Sequence, residues 1–142
     1  MDFAPNSAFW NDRKVLITGG RGFLGQAVVD RVQARGAKAL FAPSSAKYDL
    51  RDRLAVTKMF TDTQPDLVIH LAARVGGIGA NMERPAELYL DNLLMGTYVL
   101  DEARLQNTPK TVMVGTICSY PKYTPVPFAE ASLWQGYPEE TN

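Results

Sequence analysis

Thr18-Gly19-Gly20-Arg21-Gly22-Phe23-Leu24-Gly25 is the stretch on which the reading of this chain turns. It is a GxxGxxG element whose glycines answer three steric demands: a tight turn at Gly19, main chain lying close to a diphosphate at Gly22, and close helix packing at Gly25. On one side of it, Lys14 to Thr18 (KVLIT) is a short apolar run of strand character. On the other, Phe23 to Arg35 places Leu24, Val28, Val29 and Val32 at helical spacing, and Gly36 supplies the stop. Strand, glycine turn and helix start together make the setting in which main-chain amides at a helix N-terminus hold an anion. A purely structural turn is the competing reading of the glycines alone.

Further out the alternation continues. Lys38 to Ala42 reads as a second strand closed by Pro43, Leu54 to Phe60 as a helix drawing Leu54, Val56, Met59 and Phe60 into its apolar face, and Asp66 to Ala73 (DLVIHLAA) as a near-continuous hydrophobic strand. Pro85 suits the first turn of a helix running to Gln106. Leu88, Met95 and Val99 form its stripe, Leu93, Leu94 and Leu100 widen it, and the helix is expected to be largely buried. Thr111 to Thr116 (TVMVGT) is a fourth strand. Beyond Cys118, Pro121, Pro125, Pro127 and Pro138 make residues 119–142 a loop with at most short turns. Parallel neighbours need long crossovers, which helices supply, so the fold class is α/β: a Rossmann-type, doubly wound parallel sheet. The 142 residues form one domain.

Charge sets limits on partners. Fifteen basic residues balance fifteen acidic ones, so nothing electrostatic points to nucleic acid or to a membrane surface. Residues 1–11 show no leader pattern, and no apolar stretch approaches the ~20 residues that span a bilayer, which makes the cytoplasm the default compartment. A lone Cys118 and a lone His70 leave no Cys/His cluster for a metal. His70, inside the third strand, reads as a packed, satisfied residue rather than an acid or base.

The cofactor's phosphate is also legible. A site selective for NAD puts an acid at the end of the second strand to hold the ribose 2′-hydroxyl. Here that stretch is Phe41-Ala42-Pro43-Ser44-Ser45, with no acid, while Arg21 could pair with a 2′-phosphate and Ser44 or Ser45 could add hydrogen bonds. NADP(H) is therefore favoured over NAD. A solvated surface role is the alternative for Arg21. Asp49-Leu50 lies where a carboxylate could accept from an adenine amine, although Asp49 or Asp52 could equally cap a helix. The small pair Ala72-Ala73 would let a cofactor lie against main chain, or could be simple packing.

TGGRGFLG (18–25), DLRD (49–52), HLAA (70–73) and DNLLMGTYVLDEA (91–103) together resemble the extended short-chain dehydrogenase/reductases, with Asn92 in that family's usual structural position. VGGIGAN (75–81), GTICSYPK (115–122) and PFAEASLWQGYPEETN (127–142) narrow the resemblance to members that epimerise GDP-4-keto-6-deoxymannose at C3 and C5 and reduce it at C4 with NADPH. The resemblance implies cofactor contacts from Gly19, Gly20, Arg21, Gly22, Phe23, Leu24 and Gly25, from Asp49 and Leu50, from Leu71, Ala72 and Ala73, and from Val114, Gly115, Thr116 and Ile117. It places Val75, Gly76, Gly77 and Asn81 near the sugar. Thr116 matches the family's Ser that hydrogen-bonds the substrate carbonyl, and its hydroxyl has the same donor and acceptor capacity. Cys118 matches the residue proposed to exchange protons beside that carbonyl; without the resemblance it would read as a small buried hydrophobe. A nucleotide-sugar substrate and a homodimer are further implications.

The family's proton donor is a Tyr followed four residues later by Lys, and none of the six Tyr here has that partner. The chain thus reads as ending before that pair and before the sugar-binding lobe, with two expectations: no reductase activity by itself, and an association-prone strand edge at 111–115. Another nucleotide-sugar epimerase or dehydratase, or a non-catalytic dinucleotide-binding module, are the alternatives.

Overall fold

The computed structural model describes residues 7–140. The outermost ends of the expected domain and of the 119–142 loop, and most of the N-terminal segment read for a leader, lie outside those residues. The elements in chain order are α1 (Ser7–Trp10), β1 (Lys14–Thr18), α2 (Phe23–Ala34), β2 (Ala39–Phe41), α3 (Arg53–Thr63), β3 (Leu67–His70), α4 (Ile78–Glu83), α5 (Pro85–Leu105) and β4 (Lys110–Met113), then single 3-10 turns at Ile117–Ser119 and Glu130–Ser132.

The strands form one parallel sheet in the order β2-β1-β3-β4, with Val15 beside Leu40, Leu16 beside Val68 and Val68 beside Thr111. Successive strand side chains point to opposite faces, so one apolar run feeds two cores. Leu16 and Val68 pack with Val56, Met59 and Phe60 of α3 and Met95 and Val99 of α5. Val15, Ile17 and Leu67 pack on the other face with Val32 of α2. Both faces are covered, which is why the strands are continuously rather than alternately apolar.

Several boundaries differ from the sequence reading. The second strand is only Ala39–Phe41. The helix expected from Leu54 runs Arg53–Thr63, because the Asp52 carboxylate accepts from the Leu54 N–H at 2.9 Å and caps it; Leu54 itself points outward, 77% exposed. The expectation that α5 is largely buried is overturned. Leu88, Met95 and Val99 are buried, but Leu90, Leu93 and Leu100 are about half exposed, since α5 covers the sheet with one side only. The VGGIGAN stretch (75–81), to which the sequence assigns no element, runs into α4, which starts at Ile78 after an extended Gly77. β4 stops at Met113: Val114 donates the last ladder bond to the His70 carbonyl at 3.3 Å, and Thr116 then turns the chain by accepting from the Cys118 N–H at 3.1 Å. β4 is an edge strand, with Val112 and Met113 partly exposed.

Candidate functional site

The C-terminal ends of β1, β2 and β3 open into a groove of about 890 Å³. Its first wall is the glycine loop. Gly19 turns the chain with φ +70°, the Gly22 N–H closes that turn on the Gly19 carbonyl at 3.0 Å, and α2 begins at Phe23. A β-carbon at Gly19 would sit 2.7 Å from the Ala72 nitrogen, and one at Gly25 would sit 2.1 Å from the Gly19 oxygen, so the turn and the helix can approach only without side chains. Gly20 faces inward against Ala42 and takes no part in lining the groove. No side chain caps α2. Its first-turn amides, at Phe23, Leu24 and Gly25, therefore stand at the groove with their donors free, and the helix dipole adds partial positive charge there.

The second wall runs from Pro43 to Arg51. The Arg21 Nε donates to the Ala42 carbonyl at 3.2 Å, which carries that side chain across from the glycine loop to the end of β2, beside Ser44 and Ser45. The Asp49 carboxylate accepts from Arg51 Nε at 3.0 Å, from Arg51 Nη2 at 2.7 Å and from the Arg51 main-chain N–H at 3.0 Å. These contacts hold Asp49 down to a pKa of about 2, the side-chain hydrogen bond from Arg51 contributing most. Leu50 is buried beneath them.

The third wall is Leu71 to Val75. The Leu71 N–H donates to the Thr18 carbonyl at 3.1 Å and the Ala72 N–H to Thr18 Oγ1 at 3.4 Å, while Thr18 Oγ1 and His70 Nδ1 hydrogen-bond at 2.7 Å. His70 is buried as a packed residue, and burial lowers its pKa. Arg74 is fastened to α5 by Asn92, whose amide takes the Arg74 N–H and gives to the Arg74 carbonyl, both at 2.8 Å. Met59 and Met95 complete the lining.

Three guanidinium groups, Arg21, Arg51 and Arg74, line this groove against one carboxylate, Asp49. Arg21 is the member with no carboxylate partner among the described residues; Arg51 pairs with Asp49, and Arg74 with Glu87 and Asp91. The sequence reading overlooked Arg51 and Arg74, each standing in or directly after a quoted motif at a strand's C-terminal end, where a basic side chain is itself a signal.

Other expected site residues lie apart from the groove. Val114, Gly115, Thr116, Ile117 and Cys118 follow β4 along the same edge of the sheet and are exposed. Exposure of Cys118 removes the buried-hydrophobe reading of it. Val75 lines the groove mouth, while Gly76 packs against Ala80 and Asn81 lies within α4.

A parallel sheet wound on both faces, with a glycine turn running into a helix above an arginine-lined groove, defines a dinucleotide-binding type of α/β protein. Residues 15–141 match the NAD dependent epimerase/dehydratase family, and the chain belongs to it. It is 36% identical over 129 residues to GDP-L-fucose synthase 1 of Arabidopsis thaliana, an alignment covering 91% of this chain and 40% of that protein. It resembles the GDP-mannoheptose C4 reductase of Campylobacter jejuni with NADP bound, at TM-score 0.85 and 30% identity, over 92% of this chain and 41% of that one. The GDP-L-fucose synthetase of Naegleria fowleri bound to NADP superposes with TM-score 0.81 and 31% identity, over 93% and 39% respectively. The chain spans about 40% of the length of the curated relatives it matches. No helix among the described residues is long and apolar enough to cross a membrane.

Proposed function

We propose that the groove binds NADP(H) and that this chain is the dinucleotide-binding part of a cytoplasmic, homodimeric enzyme converting GDP-4-keto-6-deoxymannose to GDP-L-fucose. The observation that carries the cofactor is Arg21, free of any carboxylate among the described residues and reaching Ala42 at the acid-free end of β2. A guanidinium there suits a 2′-phosphate, with Ser44 and Ser45 beside it. The cradle fits the rest of the ligand. Gly19 and Gly22 leave main chain bare for a diphosphate, the uncapped first turn of α2 faces it, and Asp49, ionised above about pH 2, can still accept from an adenine amine. Bound there, the reduced nicotinamide supplies a hydride.

Support for the substrate comes from the GDP-sugar enzymes among the relatives and from the motifs beyond β4. Thr116 Oγ1 already accepts from the Cys118 N–H at 3.1 Å, which leaves its hydroxyl hydrogen to donate to the sugar's C4 carbonyl oxygen. Polarising that carbonyl acidifies the C–H bonds on both neighbouring carbons, and the exposed Cys118 thiol is the group to exchange their protons. Residues 120–140 follow as a loop interrupted by the single 3-10 turn at Glu130–Ser132. A C4 reductase acting on another GDP-sugar is the second reading, favoured by the higher TM-score of the heptose reductase, 0.85 against 0.81. In the whole enzyme of which this chain is proposed to be part, solvent deuterium entering C3 and C5 of GDP-4-keto-6-deoxymannose, lost in Cys118→Ser, supports the first reading; its absence there, with C4 reduction intact, supports the second.

The cofactor is tested by titrating the chain with NADPH and NADH. NADPH should bind more tightly by roughly ten- to a hundredfold, the worth of one charge-assisted contact, and Arg21→Ala should erase the difference. Equal affinities in the unaltered chain would overturn the assignment.

A further inference from the structure

Asp91 stands where the two loops flanking the groove are tied together. It lies on α5, with its side chain only 13% exposed, and belongs to neither loop. From the β3–α4 loop, Arg74 Nη1 bonds Asp91 Oδ2 and reaches Glu87 Oε1 at 2.8 Å. From the β2–α3 loop, Arg51 Nη1 lies 3.6 Å from the same Asp91 oxygen, while the Arg51 Nε and Nη2 grip Asp49.

Arg51 and Asp49 are two residues apart and both 44% exposed, and such a surface pair by itself holds neither partner in one orientation. A second carboxylate from a rigid, mostly buried position on another element changes that. It attracts the free edge of the guanidinium and so turns the plane that holds the Asp49 carboxylate. The lone pairs that Asp49 keeps for a ligand then point where Asp91 directs them. Asp91 also sets one negative charge beside both guanidinium groups and so weakens their repulsion across the groove.

We propose that Asp91 is a positioning residue for the dinucleotide, acting through Arg51 to aim Asp49 at the adenine amine; this rests on the reading of the groove given above. Among the described residues, Asp91 is the carboxylate that faces both loops.

Two probes separate this from a general loosening of the fold: NADPH, and its hypoxanthine analogue, in which oxygen replaces the adenine amine. Asp91→Asn should raise the Kd for NADPH roughly three- to tenfold, a partial loss of one charge-assisted bond, and leave the Kd for the analogue unchanged. Arg51→Gln, which cuts the same link from the exposed side, should show the same selectivity, and Asp91→Glu should restore part of the NADPH affinity. Equal weakening of both ligands, or of neither, overturns the proposal while leaving the cofactor assignment standing. Failure of the unaltered chain to bind either ligand defeats the reading of the groove itself.

Discussion

The carbonyl oxygen of Gly19 stands 2.1 Å from the point that a β-carbon on Gly25 would occupy, so the last glycine of the loop is held in contact with the first. The same Gly19 meets the main chain of Ala72 at the end of β3. One turn thereby packs against a helix and a neighbouring strand, and a ligand lying over it meets main chain rather than side chains.

Gly25→Ala should therefore be costly. The obstructing atoms are main chain and cannot swing aside, so unfolding in urea should show a loss of roughly 1–3 kcal/mol together with loss of dinucleotide binding. Gly79→Ala is the contrast: nothing lies within 4 Å of its β-carbon position inside α4, and alanine there should stabilise by up to about 1 kcal/mol. Equal tolerance of the two changes would show that the loop is not packed as described.

His70 makes stability depend on pH in a defined direction. Burial holds its pKa below the ordinary value of 6.5, so as pH falls through that value the unfolded chain binds a proton that the native state refuses. Its contribution is complete above about pH 6.5 and declines toward the native pKa, with a slope of at most about 1.4 kcal/mol per pH unit. Asp49, Asp62 and Asp101 are likewise shifted downward, from 3.8, by hydrogen bonds from basic side chains, and lose their contributions only in more acid solution. Because His70 is the chain's single histidine, the slope just below pH 6.5 should vanish in His70→Gln. Urea titrations across that range measure it, and an unchanged slope would remove His70 as its source.

Asn92 closes a bridge between α5 and the loop after β3, accepting from the Arg74 N–H and donating to the carbonyls of Arg74 and Leu88 at 2.8 and 2.9 Å. Asn92→Ala strands those partners in a half-buried place and should cost about 1–3 kcal/mol. Amide hydrogen exchange should accelerate at Arg74 well before it does in β1. Uniform acceleration would mean that Asn92 supports the whole fold rather than this loop.

The architecture was legible because it rests on local patterns. KVLIT ahead of the glycines, the spacing of Val28 and Val32, and the long run from Pro85 each repeat a period that only a strand or a helix satisfies. The roles of Gly19 and Gly25 were legible for the same reason: a turn of positive φ against a helix start excludes side chains whatever surrounds it. Leu93 and Leu100 were misjudged as buried because apolar character says only that a residue can be covered, and β4 is the sheet's edge. The helix at Ile78–Glu83 escaped notice because glycines flank and interrupt so short a segment, leaving no periodicity to see.

By itself the amino-acid order determined a glycine-turned parallel sheet, since that follows from residues adjacent along the chain, and it carried the expectation of a phosphorylated nicotinamide carrier through Arg21 and the acid-free stretch 41–45. Tertiary structure alone decided that Arg51 and Arg74 line the groove and that Asp91 joins them. Those side chains belong to three separate loops and helices, and charge pairing depends on distance in space, which chain order does not record until the sheet has set its strands side by side.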